Sequence, residues 1–128
     1  MSDITDSFDA KAELLRAFES SDLLSREVAG GFHNKVAPEV EPFPRIVYQE
    51  IRNSDEDYAD NESTSAIVAF QISIFSDEET VSKETKIAKE VDEVLKIIGY
   101  KRYDSIDLYE DDTKRHHKAM RYRKKYFF

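Results

Sequence analysis

The chain contains no cysteine. Disulfides and thiolate metal sites are therefore excluded, and cytosol is the default compartment for such a sequence. Its three glycines supply no glycine-rich phosphate loop, and no serine stands in a G-x-S-x-G nucleophile setting. No apolar run approaches the roughly 18 residues of a membrane span. The opening "MSDITDSFDA" has acids where a signal peptide has a positive start and an apolar core, so a soluble intracellular protein is expected. Acids are also missing from one end: none follows Asp112.

The 128 residues predict one domain, 1–128. A domain of that size buries roughly 65–70% of the surface its unfolded chain exposes, so it needs no covalent staple. The net charge of −8 argues against generic duplex binding, which depends on cations meeting phosphate. The charge is uneven. "EIRNSDEDYADNES" holds six acids against one arginine, while Lys114, Arg115, Lys118, Arg121, Arg123, Lys124 and Lys125 crowd the acid-free end. Such polarity suits docking between charged surfaces.

Apolar residues at steps of three and four, namely Ile4, Phe8, Ala12, Leu15 and Phe18, predict an amphipathic helix over 4–19, with Leu14 and Ala17 widening its stripe. A short second helix is expected from Asp22 to Ala29, ended by Gly30 and Gly31. All three prolines fall in "VAPEVEPFP", which reads as an extended crossing delivering the chain into the strand "RIVYQEIRN". "NSDEDYADNESTS", 53–65, reads as a mobile loop or hairpin tip. Next, Ala66, Val68, Phe70, Ile72 and Ile74 share one parity, the clearest strand signal in the chain. Ser76 and Glu79 match a capping box opening a long helix at about 78–98, with Val81, Ala88, Val91, Leu95 and Ile98 as its stripe. Val91, Leu95 and Ile98 are expected to pack on Val68, Phe70 and Ile72. Two further β-like runs flank "EDDTK". The fold class that follows is α+β: a mostly antiparallel sheet of about four strands packed on one long helix, with helices at the N-terminus.

Glu110, Asp111 and Asp112 stand just before His116 and His117, an arrangement that suggests metal ligands or an acid–base pair. Strand alternation points the two histidines to opposite faces, so they cannot share a metal, and Asp111-Asp112-Thr113 suits a hairpin turn. A cross-strand histidine–carboxylate pair stays geometrically open. His33 has no partner at metal-ligand spacing and reads as a half-exposed loop histidine. Glu84-x-Lys86 is a fragment of a metal-nuclease pattern, better explained by a solvated helix face. "MRYRKKYFF" interleaves cations and aromatics as a single-strand stacking platform would, or as a β-strand with aromatic cross-strand pairs does.

"VAPEVEPFPRIVYQEI" resembles a proline-spaced lead entering a strand through Pro-aromatic-Ile/Val. "FQISIFS" resembles a central strand before a long helix, "IIGYKR" the exit of that helix, and "DLYEDDTKRHHKAMRY" a closing hairpin with an acidic turn. In this order and spacing they resemble the tail-completion, or tail-terminator, proteins of long-tailed bacteriophages, also described as head–tail joining proteins. The likeness covers nearly the whole chain and is loosest in the first thirty residues. It implies a structural α+β subunit with no catalytic residue, no metal and no cofactor. Such a subunit forms a homo-hexameric ring on the tail tube protein, ends tube polymerisation, and presents a surface to the head–tail connector protein. Whether the free subunit is a monomer is left open by the sequence, as it is for proteins that assemble only on a template. The implied location is the tail or neck of the virion, with host cytoplasm during assembly, no membrane, and DNA passing through the ring without specific binding. The candidate interface residues are Asp55, Glu56, Asp57, Tyr58 and Asp60 in the acidic segment, and Arg123, Lys124, Lys125 and Tyr126 in the basic one. The end "RYRKKYFF" departs from the family pattern, and it carries the alternative function, a small nucleic-acid-binding module.

Overall fold

The structure is a computed structural model and describes residues 6–128. Five strands form one sheet: β1 (Phe32–Asn34), β2 (Arg45–Ala59), β3 (Glu62–Ser76), β4 (Lys101–Glu110) and β5 (Arg115–Phe127). Their spatial order is β1-β2-β3-β5-β4, antiparallel throughout except that β1 runs parallel to β2. The helices α1 (Ala10–Glu19), α2 (Asp22–Glu27) and α3 (Glu84–Ile97) cover one face of it.

Strand parity decides which residues meet them. Val68, Phe70, Ile72 and Ile74 of β3 alternate inward, flanked by Ile46 and Tyr48 of β2 and by Met120, Tyr122 and Tyr126 of β5. Against this face α3 lays Ile87, Val91 and Leu95, all fully buried, at the four-residue spacing of one helix face. Burying one such side chain contributes roughly 1.5–3 kcal/mol. The expected packing of Val91 and Leu95 on Val68, Phe70 and Ile72 is present, with Ile98 only partly buried at its margin.

Several expectations need correction. The sheet has five strands where about four were expected, the added one being β1. β1 has no local signal; it exists because the amide of Ile46 donates to the carbonyl of Gly31 at 3.0 Å and that of Lys35 to the carbonyl of Tyr48 at 2.9 Å. His33 therefore lies in a strand, with Nε2 2.7 Å from the carbonyl oxygen of Gly30. The long helix starts later than 78, because Ser76 is still in β3, paired with His116. The reciprocal cap is built one residue on: the amide of Thr80 donates to Asp77 Oδ1, and the amide of Asp77 to Thr80 Oγ1, both at 3.0 Å. A 3-10 turn (Val81–Lys83) follows before α3 begins. In α1 the buried stripe is Ala10, Leu14 and Phe18, while Phe8 is 79% exposed and Ala12 is exposed. The reason is a 3-10 turn (Ser7–Asp9), capped by Asp6, that rotates the phase of the helix behind it. Ile4 lies outside the described residues.

Of the two readings of the acidic stretch 53–65, the hairpin tip is the one present, and the loop is not. β2 and β3 pair almost to their ends, and only Asp60 and Asn61 make the turn, both with positive φ (51° and 64°). Aspartate and asparagine tolerate that left-handed geometry, which two-residue hairpins require. The "EDDTK" turn is where the sequence puts it, joining β4 to β5.

Candidate assembly surface

Among the described residues, no helix packs on the other face of the sheet. Arg45, Val47 and Gln49 of β2 lie there beside Phe75, Ser73 and Gln71 of β3. β5 adds His117, Ala119, Arg121, Arg123 and Lys125, and β4 adds Leu108, Ile106 and Asp104. The face is thus basic, with apolar patches. Arg121 Nε donates to Gln71 Oε1 at 3.2 Å, and Arg123 sits 5.5 Å over the Tyr103 ring. Lys125 reaches Asp57 Oδ2 at 2.7 Å, and this hydrogen bond, with one from Ser65, holds the Asp57 carboxyl below its ordinary range. Part of the charge polarity read in the sequence is therefore met inside one subunit.

Residues 35–44 fold back over the upper end of this face and roof a cleft of about 260 Å³. Gly30 lets the crossing come this close: its amide donates to the carbonyl of Pro44 at 2.8 Å, and a Cβ there would sit 2.1 Å from the carbonyl oxygen of Pro42. Arg45 lies in the cleft at 4% exposure, stacked 4.0 Å over the Phe43 ring, its Nη1 donating to the carbonyl of Pro38. Its Nε has no partner among the described residues. Burial, then the neighbouring Arg115 cation, lowers its pKa. Arg115 reaches Glu39 at 3.2 Å, and His117 stacks on Phe75 at 4.2 Å. Burial holds the His117 imidazole below its ordinary value, so it is neutral near pH 7.

The helix-facing side of β5 is occupied differently. Glu13 of α1, 7% exposed, accepts from Tyr126 Oη at 2.7 Å and from Lys124 Nζ at 3.1 Å; Tyr126 Oη also lies 2.8 Å from Tyr100 Oη. Nearby, burial opposes ionisation of Asp92, yet hydrogen bonds from Lys96, Tyr122 and Arg102 outweigh it and lower its pKa. Of the basic-end candidates, Lys124 and Tyr126 thus bind α1 to the sheet, and Arg123 and Lys125 stand on the open face. In the acidic group Asp55, Glu56, Asp57, Tyr58 and Asp60 are all exposed on the distal hairpin, Tyr58 at 64%.

His116 and His117 diverge as strand alternation requires. His116 faces Tyr109 and lies 3.9 Å from Glu78, whereas His117 is in the cleft. No group of three or more acids and histidines is placed to hold a metal among the described residues, and none of their helices is long and apolar enough to cross a membrane. Every residue of the edge strand β4 is exposed, and β1 covers only Ile46–Tyr48 of the opposite edge. The cleft and these edges had no signal in the sequence, because they join segments distant along the chain; the cluster of prolines before Arg45 is the one hint of a folded-back crossing.

This geometry defines a class: a helix-backed, mostly antiparallel α+β sheet with an open basic face. Solved structures share the fold, two of them as follows. One is a chain of the virion of the native gene transfer agent particle, with a TM-score of 0.59 and 11% identity, the match covering 88% of this chain and 90% of that one. The other is the bacteriophage SPP1 gp17 protein, with a TM-score of 0.50 and 13% identity over 91% of this chain and 88% of that one. No protein-family model and no curated protein matches the chain. The resemblance read from the order of sequence features thus meets a structural likeness to a virion component and a bacteriophage protein.

Proposed function

We propose that the chain is a structural assembly protein of a phage or related particle, one that caps the tail tube, ends its polymerisation and joins the tail to the head connector. The carrying observation is a fold shared over about nine-tenths of the chain with a virion component, on a subunit that leaves much of one sheet face and the edge strand β4 available for contact. The subunits form a six-membered ring between the tail tube protein and the connector protein, without catalysis. The interface draws on Asp55, Glu56, Tyr58 and Asp60 of the hairpin and on Arg123 and Lys125 of the open face. DNA passes through the ring unrecognised. The protein resides in the tail or neck of the virion after assembly in the host cytoplasm.

The nucleic-acid reading loses support for a specific reason. In "MRYRKKYFF" the alternation sends Tyr122 and Tyr126 into the core while Arg121, Arg123 and Lys125 face outward. Stacking needs exposed rings beside the cations; burial removes those two of the segment's four rings, which leaves Phe127 beside Lys125 and, from β4, Tyr103 beside Arg123. The test is electron microscopy of tails made with and without the protein. Tails lacking it should vary in length and stay unjoined to heads; uniform, joined tails in its absence would overturn the proposal.

A further inference from the structure

We propose that the cleft under residues 35–44 receives the acidic hairpin tip, residues 55–62, of a second copy of this chain. The inference rests on the ring reading and names the contact that closes the ring.

The cleft carries an excess of positive charge, only partly met by Glu39, which pairs with Arg115, and by Glu41 nearby. Lys35, Arg45 and Arg115 line it, and its only acid is Glu39, whose side chain is 80% exposed. Arg45 is more than nine-tenths buried, its Nε has no partner among the described residues, and burial with the repulsion of Arg115 outweighs the attraction of Glu39 and Glu41. A buried cation in that state is stabilised by an incoming carboxylate. Phe43 and Phe75 give the same cleft an apolar wall. The matching surface is therefore acidic with an aromatic among its acids.

The hairpin tip has that composition. It bears Asp55, Glu56, Asp57, Asp60 and Glu62 with no cation between Arg52 and Lys83, and Tyr58 is exposed among them. Glu56 and Asp57 are met by Arg52 and Lys125. Asp60 and Glu62, at the turn, have no ion pair among the described residues.

A chain cannot fill its own cleft. Val47, in the cleft, and Asp60, at the turn, belong to opposite ends of one strand pair, about 40 Å apart at about 3.3 Å per residue. The tip must enter another copy. Two different patches then meet, tip to cleft, and a heterologous contact of this kind closes into a ring when its rotation allows.

Charge reversal tests the contact on tails assembled with the full chain. Asp60→Lys with Glu62→Lys, or Lys35→Glu with Arg115→Glu, should each lower ring occupancy roughly tenfold, since like charges then face each other. All four changes in one chain should restore it to within a few-fold. A second measurement is independent of such losses. Because the chain has no cysteine, Lys35→Cys with Asp60→Cys can form a disulfide only between copies. A ladder of cross-linked oligomers on tails is expected. Rings that withstand either reversal, or that give no ladder, overturn this inference and leave the ring itself standing. Wild-type tails without a ring overturn the ring reading and the inference with it.

Discussion

Replacing Glu13 by leucine removes the one acceptor shared by Lys124 and Tyr126. Tyr126 keeps its hydrogen bond to Tyr100, but Lys124 loses its one carboxylate partner among the described residues, and its ammonium is left against the Tyr126 ring at 4.4 Å. Breaking a buried ion pair from one side costs about 3–5 kcal/mol. The Lys124 side chain is 19% exposed, so partial hydration puts the cost near the lower limit, about 3 kcal/mol. That is a large share of the roughly 5–15 kcal/mol that holds an ordinary domain together. In urea denaturation, at an m-value of about 2 kcal/mol/M, the midpoint should fall by about 1.5 M. Lys124→Leu alone should cost less, because it leaves Glu13 with the Tyr126 hydroxyl. The informative variant is the double one. Once Glu13 is gone, Lys124→Leu removes a stranded cation, so it should cost nearly nothing or stabilise. Additivity of the two changes within about 0.5 kcal/mol would refute the reasoning, for it would mean that the pair does not act as a unit.

Leu95→Ala should cost about 2–5 kcal/mol in the same assay, because Leu95 is fully buried between α3 and the sheet; a loss under 1 kcal/mol would contradict that packing. His117 makes stability depend on pH. Its folded pKa is depressed below 6.5 by burial, so the unfolded chain binds more protons, and stability falls as pH drops from about 6.5 through the folded value. His117→Gln should flatten that part of the profile in denaturation at pH 7 and pH 5, and an unchanged slope would show that another group titrates. Free protein should not bind random duplex DNA at physiological salt, given a net charge of −8. Micromolar binding in a fluorescence titration, lost on removing residues 121–128, would revive the nucleic-acid module.

The parts of the fold legible in the sequence are those where a local pattern and its burial coincide. Alternation through Val68, Phe70, Ile72 and Ile74 and again through Met120 and Tyr122 marks the sheet face that meets the helices, because the large apolar side chains share one parity while the other carries small or polar ones such as Ala69, Ser73 and Arg121. Gly99 marks the end of α3, at φ +99°, a conformation other residues rarely adopt. Where structure depends on distant partners, local pattern misleads. Composition leaves residues 53–59 open between a loop and a hairpin tip; β3 makes them a strand, and Lys125 of β5 reaches across to Asp57. β1 owes its existence to β2, and the cleft to a crossing that Gly30 admits. For the candidate surface, composition reveals acidic and basic segments but not their facing. Parity along β5 assigns Arg123 and Lys125 outward and Lys124 and Tyr126 to Glu13, and the inward assignment is recognisable only once α1 is in place.

The central claim is that this chain forms a ring at the junction of tail and head. Electron cryomicroscopy of the intact particle tests it most directly, because the five-stranded sheet with its long β2–β3 hairpin can be fitted into density. The account predicts six copies at the head-proximal end of the tail, with none along the tube. Copies distributed along the tube, or a complete junction with no density for this fold, would contradict it.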